Sequence, residues 1–598
     1  MCRISGIVDP SRPIEELQLS VKRMSSILKK GGPDGEGIYI SDKDHLVFGH
    51  RRLALLDLSE AGHQPMSYNN DQYNITYNGE IYNYPQLKIE LEKEGFVFHT
   101  LCDTEMILAA FAAWGTKAFK KFNGMFAFAL FDNRNDMIYL VRDPSGIKPL
   151  YYYYQKHKLY FSSEVKSLSI FPELDQQDPN AKILLLAYGH IPEPHTTLKE
   201  VKMLPKGTFF SFHTKSGNSK LTNFLQYQYF ESISDKPEAM NLIFEKLSSS
   251  VSSHLLSDAP IGVFLSGGID SSLLALLAHK KTGDHLNTLS LYYNELKYSE
   301  KKYQDLIIDT VKCRHRQFLL TGMEFSKHFE SIVNDMDMPS TDGLNTWFIS
   351  KYAKECGLKA VLSGVGSDEM FGGYPSFRRI SNMKIAKKLP NSLLRSFQYS
   401  QKNKLKRLAF LSIPGCKGEY LYLRGRMLPS DIVPYSEVSQ KKIWDILSEE
   451  ETTNMEIDSL SYGNQASWME MNLYMQNQLL RDSDVMSMAH GVEIRVPFLE
   501  KDLVSAALSL TSKIKFKGHH PKQLLIDTFK KLIPEPIWNR PKMGFAFPYK
   551  EWMKDNEFVK NTMHKNALLG ASYQKFNQGI LPWSHILSLM VMHHKIGE

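Results

Sequence analysis

Cysteine is scarce and scattered: the 598 residues contain five, at positions 2, 102, 313, 356 and 416. Their number is odd and no two form a C-x-x-C pair, which argues against a disulfide framework and a structural zinc and for a reducing compartment. Long apolar runs are missing as well. No stretch approaches the ~20 residues that span a bilayer, and the opening Met-Cys-Arg-Ile-Ser-Gly-Ile-Val-Asp has no signal-peptide core. There is no long Lys/Arg block, and a net charge of +7 is small for this length, so neither nucleic acid nor a membrane is implied as a partner. Repeats and low-complexity segments are not evident. What remains is expected to be a cytoplasmic globular protein, too long for one core and therefore expected to hold at least two large domains.

The most informative stretch is IGVFLSGGIDSS, residues 261–272. Residues 261–265 are apolar without alternation, the pattern of a strand buried on both faces of a parallel sheet. Gly267 and Gly268 turn the chain with no Cβ to hold a ligand off the backbone N–H groups. Ser271 and Ser272 are expected to open an apolar helix at 273–279, whose first N–H groups favour an anion. Leu265, Ser266, Gly267, Gly268, Ser271 and Ser272 thus outline a phosphate cradle, with Asp270 beside it as a candidate Mg²⁺ ligand. The turn fits neither G-x-x-x-x-G-K-[ST] nor G-x-G-x-x-G. Its order resembles the pyrophosphate loop of enzymes that cleave ATP to AMP and pyrophosphate.

Beyond it, strands expected at 286–293, 316–320 and 359–363 alternate with helices, which predicts a doubly wound parallel sheet with ligands at its carboxyl edge. Leu291 and its strand, with Tyr293, are candidates for an adenine pocket. Core packing explains that strand equally well. The loop SGVGSDEMFGGY carries Ser363, Gly364 and Asp368, which could complete a metal site with Asp270. Lys542, in RPKMGF, could stabilise charge on an α-phosphate as pyrophosphate leaves.

The first 215 residues read as short strands (37–40, 46–49, 73–77, 126–131, 137–141, 158–162, 208–212) with helices at 14–30, 84–94 and 104–114, a layered α+β arrangement. Cys2 becomes an N-terminal nucleophile if Met1 is removed, because the α-amine can then act as the thiol's base. Asn78 and Gly79, after a strand, offer an amide and an N–H as oxyanion donors. Arg52 offers a guanidinium for a substrate carboxylate and Asp103 a carboxylate for an ammonium. Arg52 could instead be a surface charge and Asp103 the cap of the next helix. A polar stretch at 215–235 is expected to link residues 2–215 to residues 236–598, starting with an amphipathic helix at 240–256.

In order, MCRISGIVD, GGPDGEG, GHRRLALLDL, YNGEIYNY, CDTE, FNGMFAFALFD and RDPSGIKPLYY resemble a class II glutamine amidotransferase domain. SGGIDSS, SGVGSDEMFGGY, LLRDSDVMSMAHGVEIRVPFL and RPKMGF resemble the synthetase domain of glutamine-dependent asparagine synthetases. The resemblance covers nearly the whole chain. It implies an αββα N-terminal nucleophile hydrolase sandwich followed by a pyrophosphate-loop α/β domain with added helices. It further implies that Cys2 attacks glutamine, that Asn78 and Gly79 hold the oxyanion, and that Arg52, Glu80 and Asp103 bind the glutamine. ATP, Mg²⁺ and L-aspartate would give an acyl-adenylate, amidated by ammonia carried through an internal passage. Dimerisation is common in the family, and no residue pattern here sets it.

Two positions depart from the family pattern. The third residue of the SG-x-G loop is usually Glu or Asp and here is Val365, and an arginine usually found after KQLL is here Ile526. Both bear on the acceptor. The same chemistry on another carboxylate, such as a uronic acid or a natural-product acid, is therefore an alternative, and a catalytically silent binding homologue is another.

Overall fold

The computed structural model describes residues 2–449, 457–544 and 547–597; Met1 and Phe545, which enter the readings above, lie outside them. The first part of the chain supplies twelve strands: β1 (Arg3–Val8), β2 (Gly35–Ser41), β3 (Leu46–Arg52), β4 (Met66–Tyr68), β5 (Tyr73–Ile81), β6 (Gly124–Asp132), β7 (Met137–Arg142), β8 (Tyr151–Gln155), β9 (Lys158–Ser162), β10 (Lys202–Met203), β11 (Thr208–His213) and β12 (Ser219–Asn223). They form two six-stranded sheets, in the orders β10-β8-β9-β1-β3-β2 and β12-β11-β7-β6-β5-β4. Every pairing in both is antiparallel.

Strand β6 shows why they stack. Its side chains alternate between faces. Ala127, Ala129 and Phe131 join Ile4, Phe48 and Phe161 of the other sheet in one core, whereas Phe126, Phe128 and Leu130 join a second core with Leu87, Leu91, Met106 and Ile107 from helices Tyr84–Lys93 and Asp103–Trp114. Helix Ile14–Ile27 covers the outer face of the first sheet by packing on β1 and β3. The result is a helix–sheet–sheet–helix sandwich.

The third sheet has five parallel strands: β13 (Ile261–Phe264), β14 (Asn287–Tyr292), β15 (Arg314–Leu319), β16 (Ala360–Leu362) and β17 (Glu493–Arg495), in the order β15-β14-β13-β16-β17. From β13 the chain steps outward through β14 to β15, then returns to the other side of β13 for β16. This reversal opens a crevice at the carboxyl ends of β13 and β16, where open α/β sheets bind ligands.

Several local expectations are corrected. Strand β12 lies inside the polar stretch read as a linker, because it completes the edge beside β11. Strand β5 runs on through Asn78, Gly79 and Glu80, so these residues are within the strand rather than after it. Cys102, not Asp103, occupies the N-cap position of helix Asp103–Trp114, without a side-chain cap bond, and the Asp103 carboxylate turns inward. The helix after β13 starts at Ile269, which places Asp270, Ser271 and Ser272 in its first turn. A π-helical stretch, Glu470–Leu480, joins helices Tyr462–Met469 and Arg481–Met488. Such widened turns occur frequently at functional sites.

Buried charges join the two parts. Arg3, fully buried next to Cys2, pairs with Glu164 at 2.6 Å and with Asp484 of helix Arg481–Met488 at 2.8 Å. Arg495, at the end of β17, pairs with Glu493 at 2.6 Å and with Glu80 of β5 at 3.3 Å. The Tyr82 ring lies over His254, with centroids 3.8 Å apart.

Candidate active site

Cys2 precedes β1 and is 8% exposed. Its backbone N–H donates to Asn78 Oδ1 at 3.0 Å, which leaves Asn78 Nδ2 buried with no partner. An unanswered buried donor is costly, and here it is available to a developing oxyanion. Burial pushes the Cys2 thiol above its usual range, while the Leu53 backbone N–H and the Arg52 guanidinium favour the thiolate. Sequence reasoning missed Leu53, since a backbone donor leaves no signature in side-chain identity.

Gly79 is required by closeness. A Cβ there would lie 2.2 Å from the Met125 carbonyl oxygen on β6. Glu80 is buried, and desolvation raises its carboxyl well above the usual range despite Arg495. Asp103 accepts from Tyr77 Oη at 2.7 Å and from the Ile81 N–H at 2.9 Å, and burial raises it to about 6. Arg52 donates to the carbonyls of Ser59 and Asp57, so its guanidinium is half-buried in the 57–62 turn rather than a free surface charge. Arg52 and Glu80 both act on Cys2, and Asp103 acts on Glu80, so the set surrounds one centre.

The second centre is a cavity of about 450 Å³ in the crevice of the parallel sheet. Leu265, Ser266, Gly268, Asp270 and Ser271 line it from the first loop, Ser363, Gly364, Val365 and Asp368 from the second, and Leu291 and Lys542 from farther along the chain. No side chain caps helix Ile269–Thr282, so its first N–H groups stay open to an anion. Ser271 Oγ accepts from the Ser266 N–H at 3.1 Å, which ties the loop to the helix.

Three expected residues sit differently. Gly267 is off the wall; its left-handed φ of 83° turns its carbonyl to Arg540 Nη2, 2.9 Å away. Ser272 is fully buried one helical step behind, with an unpartnered Oγ. Tyr293 packs on Phe547 and Trp552, at 5.7 and 6.0 Å between centroids, so the adenine-pocket expectation fails for it while Leu289 and Leu291 do line the cavity. Ile526 is 2% exposed and away from the cavity wall, whereas half-buried Val365 lines it. Of the two departures, only Val365 touches this space.

Lys522 is the main residue that the motifs did not identify as functional. Its ammonium bridges Asp270 and Asp368, and Lys542 Nζ meets Asp368 at 2.5 Å. Burial disfavours the Lys522 ammonium, yet the two carboxylates outweigh that and hold its pKa above normal. The same lysines, against burial, pull Asp368 down to about 2. Arg540 pairs with Glu300 at 2.5 Å and stacks on Tyr303 at 3.7 Å, which clamps the first loop. Asp270 and Asp368 therefore converge on one point. Among the described residues no third His, Cys, Asp or Glu joins them. Two carboxylates suit Mg²⁺, which takes one or two with phosphate oxygens; they do not make an all-protein metal cage.

The Asparagine synthase family model matches residues 243–576, and the Glutamine amidotransferase domain model matches residues 1–225. Asparagine synthetase [glutamine-hydrolyzing] 1 of Bacillus subtilis is 30% identical over 95% of this chain and 90% of its own length. A putative asparagine synthetase [glutamine-hydrolyzing] 2 of Methanocaldococcus jannaschii is 34% identical over 66% of this chain and 79% of its own. Asparagine synthetase B of Escherichia coli is 29% identical over 64% and 66%. A sandwich with a buried cysteine at the start of its interior strand β1 and a parallel sheet with a lysine-lined crevice thus define a two-part amidotransferase. The chain belongs to the asparagine synthase family and is an enzyme of that class. Among the described residues no helix is long and apolar enough to cross a membrane.

Proposed function

We propose that the enzyme transfers the amide nitrogen of glutamine to L-aspartate, giving L-asparagine, glutamate, AMP and pyrophosphate. The observation that carries the reading is the crevice between β13 and β16, where an uncapped helix start, two carboxylates and two lysines face one cavity.

With Met1 removed, the Cys2 amine takes the thiol proton and the sulfur attacks the glutamine amide carbon. Asn78 Nδ2 and the Gly79 N–H hold the oxyanion, and ammonia leaves before water releases glutamate from the thioester. Arg52 and Asp103 clamp the two charges of the free amino acid, with Glu80 beside them. In the crevice, Leu265, Ser266, Gly267, Gly268, Ser271 and Ser272 shape the phosphate turn, and Leu291, Ser363 and Gly364 border the nucleoside. Asp270 and Asp368 would hold Mg²⁺, which supplies charge neutralisation on the triphosphate. Lys522 and Lys542 stabilise the negative charge that grows as aspartate displaces pyrophosphate.

Ammonia must then reach the acyl-adenylate unprotonated. Leu53, whose N–H meets the Cys2 sulfur, packs its side chain on Met488, and the helix carrying Met488 lines the cavity through Asp482 and Ser483. That apolar contact lies between the two centres.

The test measures pyrophosphate release with ATP, Mg²⁺ and glutamine across a panel of carboxylates, in the parent and in Cys2→Ala. Aspartate-dependent release is expected in both. Asparagine formation from glutamine is expected only in the parent, with ammonia restoring it in Cys2→Ala. Release that follows a uronic or other acid instead of aspartate would move the reading to that acceptor.

A further inference from the structure

A second cavity, of about 340 Å³, adjoins the first, and Tyr374 and Tyr474 line both. Among the described residues its walls carry four arginines, Arg379, Arg407, Arg424 and Arg426, against one carboxylate, Glu470. The arginines differ in how far they are already engaged. Arg424 pairs with Glu470 at 2.7 Å while stacked on Tyr474 at 3.5 Å and Tyr374 at 4.3 Å. Arg407 donates to the carbonyls of Leu421, Tyr422 and Gly425, closing the end of helix Gly415–Arg424. Among the described residues no carboxylate forms an ion pair with Arg379 or Arg426, although Asp342 lies within electrostatic reach of Arg426, and Arg426 Nε is buried without a partner. Burial and these two arginines lower Arg407 to about 10, the mark of crowded positive charge.

One more element faces the same space. Helix Ser376–Ala386 has eleven residues and begins at the cavity wall with no side-chain cap. Its first residue, Ser376, is 5% exposed and its Oγ has no partner. The Phe377, Arg378 and Arg379 N–H groups already donate to the Tyr374 and Pro375 carbonyls, so this helix start favours negative charge mainly through its dipole. A buried hydroxyl and a buried guanidinium N–H that both lack acceptors each leave an unmet bond. One anion would meet all of these at once.

We propose that this cavity is an anion subsite that takes a carboxylate or phosphate group, held by Ser376, Arg379, Arg426 and the start of helix Ser376–Ala386. Its place behind the Tyr374–Tyr474 wall fits two sources of that chemistry: the non-reacting acid group of the acceptor, or pyrophosphate on its way out. These sources rest on the amide-forming reading above; the subsite itself does not.

The test uses the full chain and the variants Arg379→Gln, Ser376→Ala and Arg426→Gln. Arg379 is exposed, so its variant stays informative if a change at a buried position fails to fold. Two quantities are read: inorganic pyrophosphate affinity by titration calorimetry, and KM for aspartate in pyrophosphate release. Glutamine hydrolysis at Cys2 serves as the folding control. At least a tenfold weakening of pyrophosphate binding with KM unchanged assigns the subsite to the leaving group. A tenfold rise in KM with pyrophosphate binding unchanged assigns it to the acceptor. Both quantities within twofold of the parent, in variants that still hydrolyse glutamine, overturn the proposal. If no carboxylate supports pyrophosphate release in the parent, the amide-forming reading falls, and the pyrophosphate titration alone then decides the subsite.

Discussion

Asn78 shows how much one side chain can carry. Its Oδ1 is occupied by the Cys2 N–H, which fixes the amide and leaves Nδ2 buried with no partner. Asn78→Ala is expected to lower kcat for glutamine hydrolysis by about 10²–10³-fold, the usual cost of a lost oxyanion donor, with ammonia-dependent synthesis unchanged in a coupled assay. Asp103 gives a pH dependence. Burial raises its carboxyl to about 6, so the group that would hold the glutamine ammonium becomes protonated below that pH. The glutaminase kcat/KM should therefore fall as the pH drops through 6, and Asp103→Asn should be low throughout and lose that step. Unfolding through this group would not produce the step. Its folded pKa lies above the ~3.9 of unfolded Asp, so ionisation opposes folding at higher pH and that penalty fades as the pH falls.

Among elements, helix Arg481–Met488 joins the two centres. Asp482 and Ser483 line the ATP-side cavity, and the next residue, Asp484, reaches across to Arg3 beside Cys2. Removing one partner of a buried pair costs about 3–5 kcal/mol because the other charge is left buried. Asp484→Asn should thus lower Tm and reduce glutamine turnover, although the residue lies far along the chain from the glutaminase. Normal turnover in that variant would show that the pair is structural only. Strand β5 makes a second case, since it meets β6 where Gly79 faces Met125. Gly79→Ala forces the strands apart and is expected to cost about 1–3 kcal/mol or more, as overpacking does, read as a lower denaturation midpoint.

At the scale of the molecule, the buried ion pairs of Arg3 and Arg495 and the Tyr82–His254 contact fix one part against the other. On the proposed function, such an interface would keep ammonia passing between the centres away from water, where it would be protonated. With unlabelled glutamine and ¹⁵N-ammonium supplied together, asparagine should carry mainly unlabelled nitrogen. Label in proportion to the bulk pool would show that ammonia leaves the protein before it reacts.

The sequence by itself determined the elements whose signal is local. The apolar run at β13, the glycine turn and the alternating aromatics of β6 each follow from chain geometry and periodicity within a few residues. Ordered motifs also pointed to most of the residues that meet in the crevice, because loops after parallel strands must face one edge. Only the tertiary structure decided what depends on distant partners. Lys522 stands more than 150 residues from Asp368, and its role exists only because folding places its ammonium between two carboxylates. Tyr293 carried a side chain suited to a site, and Ile526 stood where the family usually places an arginine, but both lie in the core through packing that no local pattern records. The arginine cavity likewise has no motif: its members become a site only when helix Ser376–Ala386 and the end of helix Gly415–Arg424 close on the same space.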